Sequence, residues 1–145
     1  MPRPWAYVDT SLLAMRYLAE ADTSRFRRMM NAHRLVTSAV TAVELRSVLV
    51  QRLAAGDITD TACRAISARL TQDRDFWDTI PVTDAVLAIA EDVVPRANVR
   101  TLDAVHIASA MVRRDAGLPA LPFLTRDAEQ AQGARLLGFA VLGIP

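Results

Sequence analysis

Short apolar runs alternate with longer amphipathic segments along nearly the whole chain, and that alternation restricts the fold more than any other feature of the sequence. Residues 6–8, 35–37, 77–80, 123–125 and 139–142 read as strands. Residues 11–19, 24–32, 40–55, 60–72, 84–94, 102–115 and 128–137 read as helices. Strands that alternate with helices close as βαβ units, so the order predicts an α/β fold around a mostly parallel sheet. Local signals mark the boundaries: Gly56 stops the third helix, Thr83 caps the fifth, Asp127 can cap the last, and Gly138 ends it. The sixth helix is the clearest, because Ala104, Val105, Ala108, Met111 and Val112 form the stripe of a core-facing helix.

No linker, repeat or low-complexity stretch divides the chain, so residues 1–145 read as a single domain, large enough to bury a full core without staples. The lone Cys63 permits no internal disulfide and fits a reducing compartment, with the cytoplasm as the expected location. No uncharged stretch approaches the ~18 residues of a membrane span, so no membrane association is expected. All 17 basic residues are arginine. Without lysine the chain can build neither a phosphate-binding Walker loop nor a Schiff base, although arginine is the better fork for phosphate. A net charge of +1 does not by itself suggest a nucleic-acid binder.

Four acids stand where strands or helices should meet loops: Asp9, Glu44, Asp103 and Asp127. In open α/β sheets the strand ends and adjoining helix starts share one edge, which is where such folds bind ligands. Two bare carboxylates about 4 Å apart repel by roughly 4 kcal/mol even at an effective dielectric near 20, so a cluster of acids there implies a divalent cation or raised pKa values. Each acid also has a purely structural reading. Asp9, Thr10 and Ser11 can cap a helix, Thr41 and Glu44 match a capping box, Asp103 can complement a helix dipole, and Asp127 can be an ordinary cap. Chemistry favours a hard cation held by oxygen, since His33, His106 and Cys63 make no zinc cluster. His106 reads as a satisfied helix histidine rather than a ligand or general base.

Taken together, the opening strand that ends in Asp-Thr-Ser, the helix start Thr-Ala-Val-Glu-Leu, the helix Leu-Asp-Ala-Val-His-Ile-Ala-Ser-Ala and the late Leu-Thr-Arg-Asp resemble the PIN domain, and more narrowly the VapC-type toxin ribonucleases. The resemblance runs through nearly the whole chain. It implies a three-layer α/β/α fold with a central, mostly parallel five-stranded sheet. It also implies an endoribonuclease in which Asp9, Glu44, Asp103 and Asp127 bind Mg²⁺, with Mn²⁺ able to substitute, supported by Thr10, Ser11 and Thr125. A cognate antitoxin, an RNA substrate and a homodimer are the partners it implies.

Arg46, Arg100 and Arg126 lie within three residues of an acid and could grip a phosphate, or simply neutralise those acids. Arg25, Arg27, Arg28 and Arg34 form a second basic cluster that reads as a solvated helix face. Phe26, Met29 and Met30, with Leu12, Leu13, Met15 and Leu18, offer apolar surface for the core and in part for a partner helix. The competing functions are an RNA-processing nuclease of the same fold without an antitoxin, and a catalytically silent regulatory module. The presence of all four acids argues against the second.

Overall fold

The computed structural model describes residues 2–145. Five strands, β1 (Trp5–Val8), β2 (Arg34–Ser38), β3 (Asp78–Ile80), β4 (Phe123–Leu124) and β5 (Val141–Leu142), form one sheet in the order β3-β2-β1-β4-β5, and every neighbouring pair is parallel. The helices between them are α1 (Thr10–Leu13), α2 (Thr23–Asn31), α3 (Val40–Ala54), α4 (Asp60–Asp73), α5 (Asp84–Ala97), α6 (Thr101–Asp115) and α7 (Ala128–Leu136).

Side chains alternate across each strand, and here both faces are apolar, as a sheet covered on two sides requires. Tyr7, Val36, Ile80 and Phe123 pack with residues of α5, α6 and α7 in one core. Ala6, Val8, Leu35 and Leu124 pack with α1 to α4 in the other. The three-layer α/β/α arrangement expected from the sequence is therefore the one observed. Tyr7 and Phe123, side by side on β1 and β4, stack with ring centroids 5.0 Å apart, and Phe139 leans on Phe123 at 5.7 Å. Full burial of such a ring contributes about 1.5–3 kcal/mol, so this trio anchors the β1–β4 junction.

The departures from the expected boundaries have local causes. The final strand begins only at Val141, because Phe139 first closes α7: its N–H donates to the Ala134 carbonyl at 3.0 Å after Gly138 turns the chain at φ +95°. The first helix tightens after Leu13 into a 3₁₀ turn, Ala14–Arg16. α5 runs past Pro95 to Ala97 and stops where Asn98 adopts the left-handed conformation. Most of the apolar surface from α1 to α2 is core: Leu12, Leu13, Met15, Leu18, Phe26 and Met30 are all buried. Among the described residues no helix is long and apolar enough to cross a membrane.

Two glycines are fixed by close approach. Gly143, just after β5, has φ +108°, and a Cβ there would lie 2.2 Å from the Thr125 carbonyl oxygen. Gly133 sits inside α7, where a Cβ would meet Val99 Cγ1 at 2.8 Å and Ile107 Cδ1 at 3.1 Å. Helix propensity alone would favour Gly133→Ala by ~1 kcal/mol. Overpacking a tight core contact costs about 1–3 kcal/mol, so the net expectation is a loss of about 1 kcal/mol, read as a lower urea midpoint at unchanged m-value. A variant as stable as the parent would show that α7 can slide away from α6.

Candidate active site

The sheet order places the site before any side chain is considered. From β1 the chain moves to β2 on one side, while β4 later enters on the other, so the ends of β1 and β4 flank the topological switch point. Asp9 follows β1 directly and is 3% exposed. Its Oδ1 accepts from the Leu12 N–H at 3.1 Å, capping α1, and from the Ser11 hydroxyl at 2.8 Å. Its Oδ2 accepts from the Thr125 hydroxyl at 2.5 Å, across the switch point. Capping and site placement therefore coexist in one carboxylate. Burial pushes the Asp9 carboxyl up, against the opposing pull of His106, Thr125, Ser11 and the Leu12 amide.

Glu44 is not part of a capping box. α3 begins two residues earlier than that reading required, with Ala39 as its N-cap, and the Thr41 hydroxyl is paired with that of Thr37 at 2.7 Å. Freed from the helix end, Glu44 Oε1 accepts from the Thr10 hydroxyl at 2.6 Å and from His106 Nε2 at 2.7 Å. His106 is buried at 3% exposure, and its Nδ1 lies 2.7 Å from the Tyr7 hydroxyl. An ionised carboxylate can only accept, so Nε2 carries the proton. Burial would raise the Glu44 carboxyl, but the hydrogen bond and charge of His106 and the Thr10 hydroxyl outweigh it and hold it below its ordinary value. His106 is indeed satisfied, and what satisfies it is one of the four acids.

Asp103 and Asp127 face a cavity of about 600 Å³ that Glu44 also lines. Asp127 caps α7, its Oδ1 accepting from the Glu129 and Gln130 amides at 2.9 and 3.3 Å. Its amide in turn donates to the Thr125 hydroxyl at 3.0 Å. Asp103, in the first turn of α6, is half-buried, and its carboxyl is pushed up to about 6 by burial and then by the charges of Asp127 and Asp9. Glu129 adds to that charge and lines the same cavity; the sequence reading missed it, although an acid two residues after a cap sits in the same helix turn.

Among the described residues no three His, Cys, Asp or Glu side chains are close enough as placed to enclose an ion. In kind and charge the residues nevertheless fit a hard divalent cation. The donors are all oxygen, burial and then the neighbouring carboxylates raise Asp103, and among the described residues Glu44 Oε2, Asp127 Oδ2 and both Asp103 oxygens accept no hydrogen bond.

The three candidate phosphate arginines separate. Arg46 points away from the acids, donating to the Ser67 carbonyl at 3.1 Å and the Thr71 hydroxyl at 2.7 Å on α4, which corrects its assignment. Arg126 pairs with Glu20 at 3.1 Å, beside a second cavity of about 660 Å³ lined by Met15, Leu18, Val43 and Val48. Only Arg100 lines the acid cavity.

An all-parallel five-stranded sheet with carboxylates gathered at its switch point defines an α/β domain with an acidic edge. The chain belongs to the PIN-domain family, whose model matches residues 6–136. It is similar to Ribonuclease VapC47 of Mycobacterium tuberculosis (strain CDC 1551 / Oshkosh), with 30% identity over 139 residues and 92% of each chain covered. Among solved structures it is similar in fold to FitAB bound to an IR36 DNA fragment, at a TM-score of 0.73 and 16% identity, covering 94% of this chain and 93% of that one. It also resembles a toxin-antitoxin complex from Klebsiella pneumoniae, at a TM-score of 0.65 and 15% identity, covering 97% and 95%.

Asp103 offers a measurable consequence of the acid cluster. Its carboxyl holds a proton more tightly in the folded chain, so its contribution to stability is complete below about pH 4 and drains away as pH rises through about 6. Asp103→Asn should thus be more stable than the parent at pH 7.5 in chelator, by about 1 kcal/mol once solvent screening at a half-exposed group is allowed for. At pH 4 the two should melt together. A variant that is less stable at pH 7.5 would instead make Asp103 a stabilising partner of the α6 dipole.

Proposed function

We propose that the chain is a Mg²⁺-dependent endoribonuclease, with Mn²⁺ able to substitute, and that it acts as the toxin of a type II toxin–antitoxin system. The observation that carries this reading is the convergence of Asp9, Glu44, Asp103 and Asp127, from four separate elements, on the edge beside the β1–β4 switch point. Membership of the PIN family and the similarity to a curated ribonuclease support it. Glu44, Asp103 and Asp127 would hold the ion, with Asp9 completing the acid set. When bound, a divalent ion supplies charge for a phosphoryl oxygen and acidifies water.

The chain's own residues set the geometry. Ser11 and Thr125 fix both oxygens of Asp9, and Thr10 and His106 fix one oxygen of Glu44 while leaving the other open. Arg100 stands at the cavity where a phosphate would enter. His106 is buried and committed to Glu44 and Tyr7, so it is not free to deprotonate a ribose 2′-hydroxyl, and water is the nucleophile. The apolar cavity beside the acids supports a helical antitoxin segment as partner. Exposed Leu87 and Val94 on α5 support a homodimer.

Incubation with total RNA should give cleavage with Mg²⁺ or Mn²⁺, none in chelator, and ends carrying a 3′-hydroxyl. Cyclic 2′,3′-phosphate ends, or cutting that survives chelation, would contradict the mechanism. Glu44→Gln keeps the Thr10 and His106 contacts possible, so it should fold normally and yet lose cleavage by about a hundredfold or more. Parental cleavage by that variant would reduce the site to three aspartates.

A further inference from the structure

At the opposite end of the sheet lies a cavity of about 520 Å³ whose chemistry the acids do not use. The strands are parallel, so the starts of β1 and β2 and the residues before β3 share this edge, roughly 15 Å from the acids at ~3.3 Å per residue. Arg3, Arg16, Arg34 and Arg69 line it, and Asp73 is the carboxylate among them.

These guanidinium groups are largely unspent. Elsewhere Arg113 forks onto Asp78, Arg114 donates to the Leu137 carbonyl and Arg46 to α4. Among the described residues lining this cavity, Arg3 makes the one side-chain hydrogen bond from a guanidinium, to the Asn31 carbonyl at 2.9 Å. Arg69 reaches Asp73 only at 3.7 Å, and that carboxylate already accepts the Tyr17 hydroxyl at 2.8 Å. Arg34 lies over the Trp5 ring at 3.9 Å. Arg16 is half-buried, and burial and then the charges of Arg69 and Arg3 work against its cation, which Tyr17 and Asp73 offset in part. Guanidinium does not shed its proton, so such a group is relieved by an anion rather than by neutralisation.

Aromatic rings interleave with the cations. Phe76 is 88% exposed and contributes nothing to the core, and the neighbouring Trp77 has a buried Nε1–H without an acceptor. Cations that follow a backbone, with exposed rings that can stack on bases, are what single-stranded nucleic acid needs. We propose that this cavity docks a single-stranded segment of RNA, with phosphates on the arginines and a base against Phe76. An acidic peptide would use the arginines but leave the exposed ring without a role. The choice of RNA rests on the proposed nuclease activity, and the site would hold part of a substrate whose cut position lies at the far edge.

The test is fluorescence anisotropy in chelator, so that nothing is cut, with a labelled single-stranded oligoribonucleotide of about 12 nucleotides. The Arg34→Gln/Arg69→Gln double variant, checked for an unchanged melting temperature, should bind at least about tenfold more weakly, with a log–log salt slope shallower by about 1.4. Phe76→Ala, too exposed to disturb the fold, should weaken binding about fivefold or more. Arg64→Gln, an exposed change elsewhere on α4, should bind as the parent does. Parental affinity in either cavity variant, or no RNA binding by the parent chain, overturns the site. So does an acidic peptide that binds with the same arginine dependence while RNA does not. A chain that binds RNA here but never cuts it leaves this site standing and overturns the nuclease reading alone.

Discussion

The Thr125 hydroxyl donating to Asp9 Oδ2 at 2.5 Å is the contact on which the acid edge depends. It joins β1 to β4, two strands separated by most of the chain, at the place where the sheet reverses its order. A buried carboxylate without donors would cost several kcal/mol in desolvation, and here the Thr125 and Ser11 hydroxyls and the Leu12 amide offset that cost. The same hydroxyl accepts the Asp127 amide, so one threonine sets the positions of two acids at once.

Around that contact a polar chain runs from the partly exposed Glu44, which also takes the Thr10 hydroxyl, into the core through His106 to Tyr7. Tyr7 is also a stacked member of the aromatic trio beneath the sheet, so the orientation of a surface acid is tied to hydrophobic packing. The acids therefore differ in freedom. Asp9 and one oxygen of Glu44 are held by protein donors, whereas Asp103 bears burial and neighbouring negative charge that His106 offsets only in part. Donor-held and charge-burdened carboxylates therefore stand side by side on one edge.

Much of this was legible in the sequence, and the rest was hidden for identifiable reasons. Apolar periodicity located all five strands and all seven helices, and with them the loop positions of Asp9 and Asp127. The capping-box reading of Thr41 and Glu44 failed because the Thr37 hydroxyl, from the strand before, competes for Thr41. Arg46 could have been set aside on spacing alone, since residues two apart on a helix do not face each other and Glu44 already points to the site. The role of Glu129 was readable in the same local way. By contrast, Arg3, Arg16, Arg34 and Arg69 lie on four different segments, and no local pattern could have shown that the fold gathers them. A net charge of +1 conceals this separation of carboxylates at one edge from arginines at the other.

The backbone at Gly143 sets a limit on sequence variation at a residue that is not itself one of the acids. A side chain at that position would enter the space of the Thr125 carbonyl, and Thr125 cannot yield without releasing Asp9. The requirement for glycine after the last strand is thus part of what holds the acid edge, written in a residue with no functional group. A search for chains able to build this edge gains discrimination by asking for that glycine along with the four acids, because a sequence that has the acids and a bulky residue there must rearrange the junction that holds them.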